Sequence, residues 1–240
     1  IMNYIGIDIG STCAKTIVLN ENKEIIQEFV QPTGWSSVDT AEEILQKLKL
    51  AGINLSDDSS CCVATGYGRI SVPYADKAVT EITCHALGAV HLFQQPDLTV
   101  IDIGGQDTKI IQIEQGFVKD FIMNDKCAAG TGRFLEVMAN TLSLRPNEMF
   151  ELARRGSDTT ISSMCTVFAE SEVIGLIGKG EPKENIAYAV VNSTIRKVAA
   201  QVSRMNGEMS TFCLTGGLCE CEYIREALSK ELGKEVISCP

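Results

Sequence analysis

Two short segments of this chain carry the same residue types at the same spacing. The first runs Ile7-Asp8-Ile9-Gly10-Ser11-Thr12 and reaches Lys15. The second runs Ile101-Asp102-Ile103-Gly104-Gly105-Gln106-Asp107 and reaches Lys109. A turn of glycine with small polar residues lets backbone N–H groups approach phosphate oxygens, because no Cβ intervenes. Gly10, Ser11 and Thr12 offer such donors in the first turn, with Lys15 nearby as a point charge; Gly104, Gly105 and Gln106 offer them in the second. Asp8 and Asp102 end the strands that enter the turns, where a carboxylate can hold Mg²⁺ through its water shell. A single Asp-x-Gly is also an ordinary hairpin signal. Repetition gives the pattern its weight: a third glycine turn, Thr215-Gly216-Gly217, follows the two copies in order. The P-loop spacing and the G-x-G-x-x-G fingerprint are both absent, which excludes those two nucleotide folds.

The elements that must position these turns follow from the flanking residues. Each copy is a short apolar strand, a turn and a second β-branched strand, so each predicts a β-hairpin. Strand-like Thr211 to Leu214 leads into the third turn. Helical periodicity covers Ala41 to Leu50 and Ile224 to Leu232, the latter ended by Gly233. Phe134, Leu135, Met138, Ala139 and Leu142 form one apolar face after Gly132, and the segment 166–177 reads as a helix closed by Gly178 and Gly180. Strands alternating with helices predict an α/β chain. The duplication predicts two similar lobes with a cleft between them. Residues 1–72 form the first lobe, 73–96 a crossover that is helical around Lys77 to Phe93, and 97–240 the second lobe.

The 240 residues are 45% hydrophobic and 22% charged, with a formal net charge of −10. So acidic a surface repels nucleic acid and anionic membrane surfaces, and no apolar run reaches the ~18 residues of a membrane span. The N-terminal segment enters an alternating strand without a charged lead and apolar region, which predicts no secretory signal and a cytoplasmic protein. Ten cysteines without a repeating spacing then predict reduced thiols, most of them small buried apolar residues. No C-x-x-C occurs; Cys219-Glu220-Cys221 is the one short pair that could bind a metal. Cys127 and Cys165 each precede a helical segment, where unsatisfied N–H groups favour a thiolate. On residues alone the reading as two buried structural thiols is the favoured one.

At these residues the chain resembles the actin, Hsp70 and sugar-kinase superfamily of ATPases, in the order phosphate turn one, phosphate turn two, adenosine-side Gly-Gly turn. More narrowly it resembles the ATPase activators (component A) of 2-hydroxyacyl-CoA dehydratases, the BadF/BadG/BcrA/BcrD ATPase family, with relatives in benzoyl-CoA reductase. The resemblance rests on the segments 64–69 (ATGYGR), 101–109, 124–135 (NDKCAAGTGRFL) and 165–174, and spans nearly the whole chain. It implies two ribonuclease-H-like lobes with the nucleotide cleft between them. It implies ATP or ADP with Mg²⁺, bound by Gly10, Ser11, Thr12, Lys15, Gly104, Gly105, Gln106, Gly216 and Gly217, with Asp8 and Asp102 at the metal's water shell. It further implies one [4Fe-4S] cluster on the axis of a homodimer, each chain giving Cys127 and Cys165. An electron would come from ferredoxin or flavodoxin and go to the dehydratase component. Gln106 is the first candidate to position the attacking water, with Asp107 and Glu170 behind it. The chain departs from the family at Cys221, where a polar Asn is usual, and the family's final Gly/Ala-rich helix, which packs back on the first lobe, would follow Pro240. A small-molecule kinase of the same superfamily and a non-enzymatic nucleotide switch are the alternatives; neither needs the cysteine pair.

Overall fold

Both predicted hairpins form, and each seeds a sheet. A computed structural model describes residues 2–55, 58–162, 165–206 and 211–239. The chain divides into two compact units, Ile1–His85 and Ala86–Pro240. In the first unit β1 (Asn3–Ile9), β2 (Cys13–Leu19) and β3 (Ile25–Pro32) run antiparallel, and β4 (Ser60–Thr65) returns parallel to β1 after helix α1 (Ser37–Leu50). In the second unit β6 (Leu98–Ile103), β7 (Thr108–Glu114) and β8 (Phe117–Asn124) repeat the meander, and β9 (Thr211–Thr215) returns parallel to β6. Between β8 and β9 lie α3 (Gly132–Thr141), α4 (Pro146–Ala153), α5 (Thr166–Gly178) and α6 (Lys183–Val202). α7 (Glu222–Leu232) then leads to β10 (Val236–Ser238). With β5 (Lys77–Ala78), the first sheet has the order β3-β2-β1-β4-β5, and the second, β8-β7-β6-β9-β10, is the same order again.

Local chemistry explains the boundaries. Ser36 caps α1 by accepting from the Asp39 N–H at 3.2 Å, and Gly233 closes α7 at φ 66°, a left-handed conformation that glycine adopts without steric penalty. The crossover helix α2 begins only at Glu81 and runs to Phe93, rather than from Lys77. The residues before it pair with the edge of β4: Asp76 N–H donates to the Cys62 carbonyl, its carboxylate accepts from Cys62 N–H, and Val79 N–H reaches the Ala64 carbonyl. The longest helix, α6, has no predicted counterpart. Its buried run Val190, Val191, Thr194, Ile195 and Val198 is β-branched, a composition that favours strands, and Pro182 at its start supplies no side-chain cap.

One core joins Ile5, Ile7, Ile9, Ala14 and Val18 to Ala41, Ile44 and Leu48 of α1. The other joins Ile101, Ile103 and Ile110 to Phe134, Leu135 and Met138 of α3 and to the apolar faces of α4 to α7. Among the described residues no helix is long and apolar enough to cross a membrane.

Candidate functional site

The strand registers bring together residues far apart in sequence. Asp8 lies opposite Lys15 on β2 and beside Thr65 on β4; Asp102 lies opposite Lys109 on β7 and beside Thr215 on β9. Each hairpin is closed by one bond, Gly10 N–H to the Cys13 carbonyl at 3.1 Å and Gly104 N–H to the Asp107 carbonyl at 2.9 Å. Ser11-Thr12 and Gly105-Gln106 are thereby left as exposed two-residue tips. The strands beside them end in Thr65-Gly66 and Thr215-Gly216, with both glycines at positive φ (84° and 89°). A Cβ at Gly66 would collide with Asp8 Oδ1 and the Ile9 carbonyl, and one at Gly216 with Asp102 Oδ1 and the Ile103 carbonyl. Both glycines are thus required for the closeness of the strand end to the aspartate.

The tips are held from behind by their carbonyls. Thr33 donates its hydroxyl to the Gly10 carbonyl at 2.7 Å and its N–H to the Thr12 carbonyl at 3.0 Å; the fully exposed Trp35 follows two residues later. In the second unit the first N–H groups of α3 do this work. Gly132 N–H donates to the Gly104 carbonyl at 2.9 Å and Arg133 N–H to the Gly105 carbonyl at 2.8 Å. In a trans peptide the C=O and the following N–H point in opposite directions. Fixing the Gly10 carbonyl therefore turns the Ser11 N–H the other way in the first unit, and fixing the Gly104 and Gly105 carbonyls does the same for the Gly105 and Gln106 N–H groups in the second; donors at such tips suit phosphate oxygens.

The electrostatics of the two aspartates differ. Lys15 Nζ lies 3.2 Å from Asp8 Oδ2, with the two side chains 56% and 27% exposed. Asp8 Oδ1 and Thr65 Oγ1 are buried without a hydrogen-bond partner. Orphaned oxygens of this kind suit a hydrated Mg²⁺. Lys109, 2% exposed, sits 3.3 Å from Asp102 Oδ2 and 2.9 Å from Asp107 Oδ2, while Thr215 Oγ1 donates to Asp102 Oδ1 at 3.0 Å. Both oxygens of Asp102 are thus engaged within the protein.

The two singled-out cysteines are exposed; only Cys62 and Cys213 of the ten are buried, against the expectation that most would be. The strands bring Cys residues to half-buried positions as often as to the core. Burial pushes the Cys62 and Cys213 thiols up to about 12, with the Asp76 carboxylate adding to the effect at Cys62. Cys165 is the N-cap residue of α5. Cys127 is set back from α3 by the turn 128–131, and that helix's first N–H groups go to turn two rather than to the thiol. Asn124 Nδ2 donates to the carbonyls of Cys127 at 2.9 Å and Ala129 at 3.1 Å, and the Thr108 hydroxyl donates to the Gly130 carbonyl at 2.6 Å. Glu170 accepts from the Thr141 hydroxyl at 3.1 Å, at the end of α3 remote from turn two. Beyond Gly216 and Gly217 a cavity of about 270 Å³ opens among Cys219, Glu220, Glu222, Arg225 and Ser238. Among the described residues no group of three or more His, Cys, Asp or Glu side chains could hold a metal ion.

Motif reading gave Lys109 no role, and it missed Thr33, Thr108, Asn124 and the placement of Thr65 and Thr215 beside the aspartates. The repeat of Thr-Gly at 65–66 and 215–216 was the available signal for the last.

A glucokinase of the ROK family from Streptomyces griseus, solved with glucose and AMPPNP, superposes at a TM-score of 0.57 over 98% of this chain and 94% of that one; at 16% identity the likeness is one of fold, of the actin/Hsp70/sugar-kinase type. The activator of 2-hydroxyisocaproyl-CoA dehydratase from Clostridium difficile, solved with ADPNP, matches at a TM-score of 0.87 and 34% identity, over 99% of this chain and 88% of that one. The (R)-2-hydroxyglutaryl-CoA dehydratase activating ATPase of Acidaminococcus fermentans is 42% identical over 238 residues, 98% of this chain and 90% of that protein. With a family model matching residues 5–240 as well, the chain belongs to the BadF/BadG/BcrA/BcrD ATPase family.

Proposed function

We propose that this chain hydrolyses ATP to drive one-electron transfer that activates a 2-hydroxyacyl-CoA dehydratase or a related acyl-CoA reductase. In this reading Gly10, Ser11 and Thr12, with Gly104, Gly105 and Gln106, bind ATP, Asp8 and Asp102 serve the water shell of Mg²⁺, and Lys15 neutralises phosphate charge. Gly216 and Gly217 serve the adenosine side. Gln106, at the exposed tip of turn two, positions the attacking water. Asp107 is held by Lys109 and Glu170 by Thr141, so both are weaker candidates.

The observation that carries the electron-transfer half is the hydrogen bonding of turn two to Gly132 N–H and Arg133 N–H, the residues of α3 that directly follow the Cys127 loop. Two exposed thiols per chain fit half of a four-thiolate site, so two copies joined by a two-fold axis would hold the group. Bound there, a [4Fe-4S] cluster supplies a low-potential one-electron couple, reduced by ferredoxin or flavodoxin. The exposed apolar residues Val167, Phe168, Ile174 and Ile177 of α5, the helix that follows Cys165, support a homodimer.

Anaerobic reconstitution tests this reading. About four irons per two chains are expected, with a dimer by light scattering that iron stabilises by linkage. Cys127→Ser and Cys165→Ser lose the iron, and Cys219→Ser and Cys221→Ser keep it; the reverse pattern moves the site to the C-x-C segment and overturns the assignment. Asp8→Ala and Asp102→Ala should each lose several kcal/mol of transition-state stabilisation in Mg-dependent ATP hydrolysis.

A further inference from the structure

We infer that Asn124 and Thr108 are positioning residues that lock the Cys127 loop to the second glycine turn, so that occupancy of the turn is felt at the thiol. The inference rests on the nucleotide reading above and adds to it a path made of named bonds.

The loop 125–131 leaves β8 at Asn124 and enters α3 at Gly132. It could have been tied to the sheet by apolar contacts alone, yet three hydrogen bonds hold it and two more hold the start of α3. Asn124 spends both protons of one amide on the loop, one on the Cys127 carbonyl and one on the Ala129 carbonyl. An amide nitrogen is the one group at this position able to donate twice from a short, two-torsion side chain. Thr108, the register partner of Asn124 and the first residue of β7 after turn two, is fully buried and donates to the Gly130 carbonyl. Gly130 itself sits at φ 85°, with the Lys197 stem where a Cβ would be, so the loop needs glycine at this position. On the far side Gly132 and Arg133 donate to Gly104 and Gly105. Those are the same peptide units whose opposite ends offer N–H donors to phosphate. Rotation of either peptide plane to meet a phosphate oxygen must therefore stretch or shorten a bond to α3. Between α3 and Asn124, the Cys127, Ala129 and Gly130 carbonyls are held by Asn124 and Thr108, so the movement meets these bonds on its way to the thiol.

The test uses iron-free full-length chain, so that it does not depend on cluster assembly. Amide hydrogen exchange over residues 127–131 is followed with and without a non-hydrolysable ATP analogue and Mg²⁺, and analogue binding is measured separately by calorimetry. In the wild type the analogue should change exchange by about fivefold, the scale of one hydrogen bond. Asn124→Asp, isosteric but without either donor, should abolish that response while analogue affinity stays within a few-fold. Thr108→Val should do the same, and Thr108→Ser should restore it. An undiminished response in Asn124→Asp and Thr108→Val overturns the inference, as does a wild type that binds the analogue with no change at 127–131. If Asn124→Asp does not fold, the Thr108→Val and Thr108→Ser pair decides. A wild type that binds no analogue removes the ATPase reading first, and the inference with it.

Discussion

Asp8 and Asp102 occupy equivalent places in two copies of one strand order, yet the copies are finished differently. In the first unit the carboxylate meets a half-exposed Lys15 and keeps one orphaned oxygen beside the orphaned Thr65 hydroxyl. In the second, Lys109 is buried between two carboxylates and Thr215 satisfies the remaining oxygen of Asp102. The same local sequence is an open site in one place and a closed network in the other. What separates them is burial: every residue of β6 is buried, whereas β1 alternates between buried and more open positions. A closed network gives rigidity to the turn it supports, and an open one leaves ligand valences for a cation.

The largest test of this contrast is at the lysines. Lys109→Met leaves two carboxylates facing each other with little water, and should destabilise the chain by about 3–5 kcal/mol in urea unfolding. Lys15→Met removes a solvent-screened pair and should change stability by less than about 1 kcal/mol. Equal losses would erase the distinction. At the threonines the expected gap is smaller. Thr215→Val forfeits a hydrogen bond to a carboxylate and should lower stability by about 1.5–3 kcal/mol, whereas Thr65→Val deletes an unpaired buried hydroxyl and should be near neutral or slightly stabilising. A thermal melt on each variant reads this, and a destabilised Thr65→Val would mean its hydroxyl has a partner. The smallest effect is one in which the units should agree. β4 and β9 each bury a thiol, Cys62 and Cys213, raised from 9.0 to about 12. A pKa raised on folding contributes stability in full below the unfolded value, and that contribution fades as pH rises from about 9 toward 12. Cys62→Val and Cys213→Val should each flatten the alkaline decline measured by melts across that range.

Much of this was legible in the residues. Asp-x-Gly followed by a β-branched run specifies a hairpin whatever surrounds it, so β1–β2 and β6–β7 could be read directly, as could helices whose apolar face alternates with polar residues, such as α1, α3 and α7. α6 was not, because a helix buried on most of its circumference loses its polar stripe, and Val190-Val191 and Thr194-Ile195 then read as strand. Nor could Lys15 be told from Lys109, since their neighbours in sequence match and only tertiary burial differs. Thr65 and Thr215 reach their aspartates through parallel pairing across long connections, a relation that periodicity cannot carry. Asn124 stood in plain view within a recognised segment, but its two bonds depend on the path of the loop after it.

The hold of Thr33 on turn one has an optical consequence. Trp35 is the chain's single tryptophan and lies fully in solvent, one residue past Gly34, which takes a left-handed φ of 65°. Its emission should therefore start near the red limit of an indole in water. Any ligand that pulls the Gly10 or Thr12 carbonyl draws on Thr33, and so on the short tether to the indole. The first glycine turn thus carries a built-in fluorophore, and the second, with no tryptophan anywhere in its unit, stays dark.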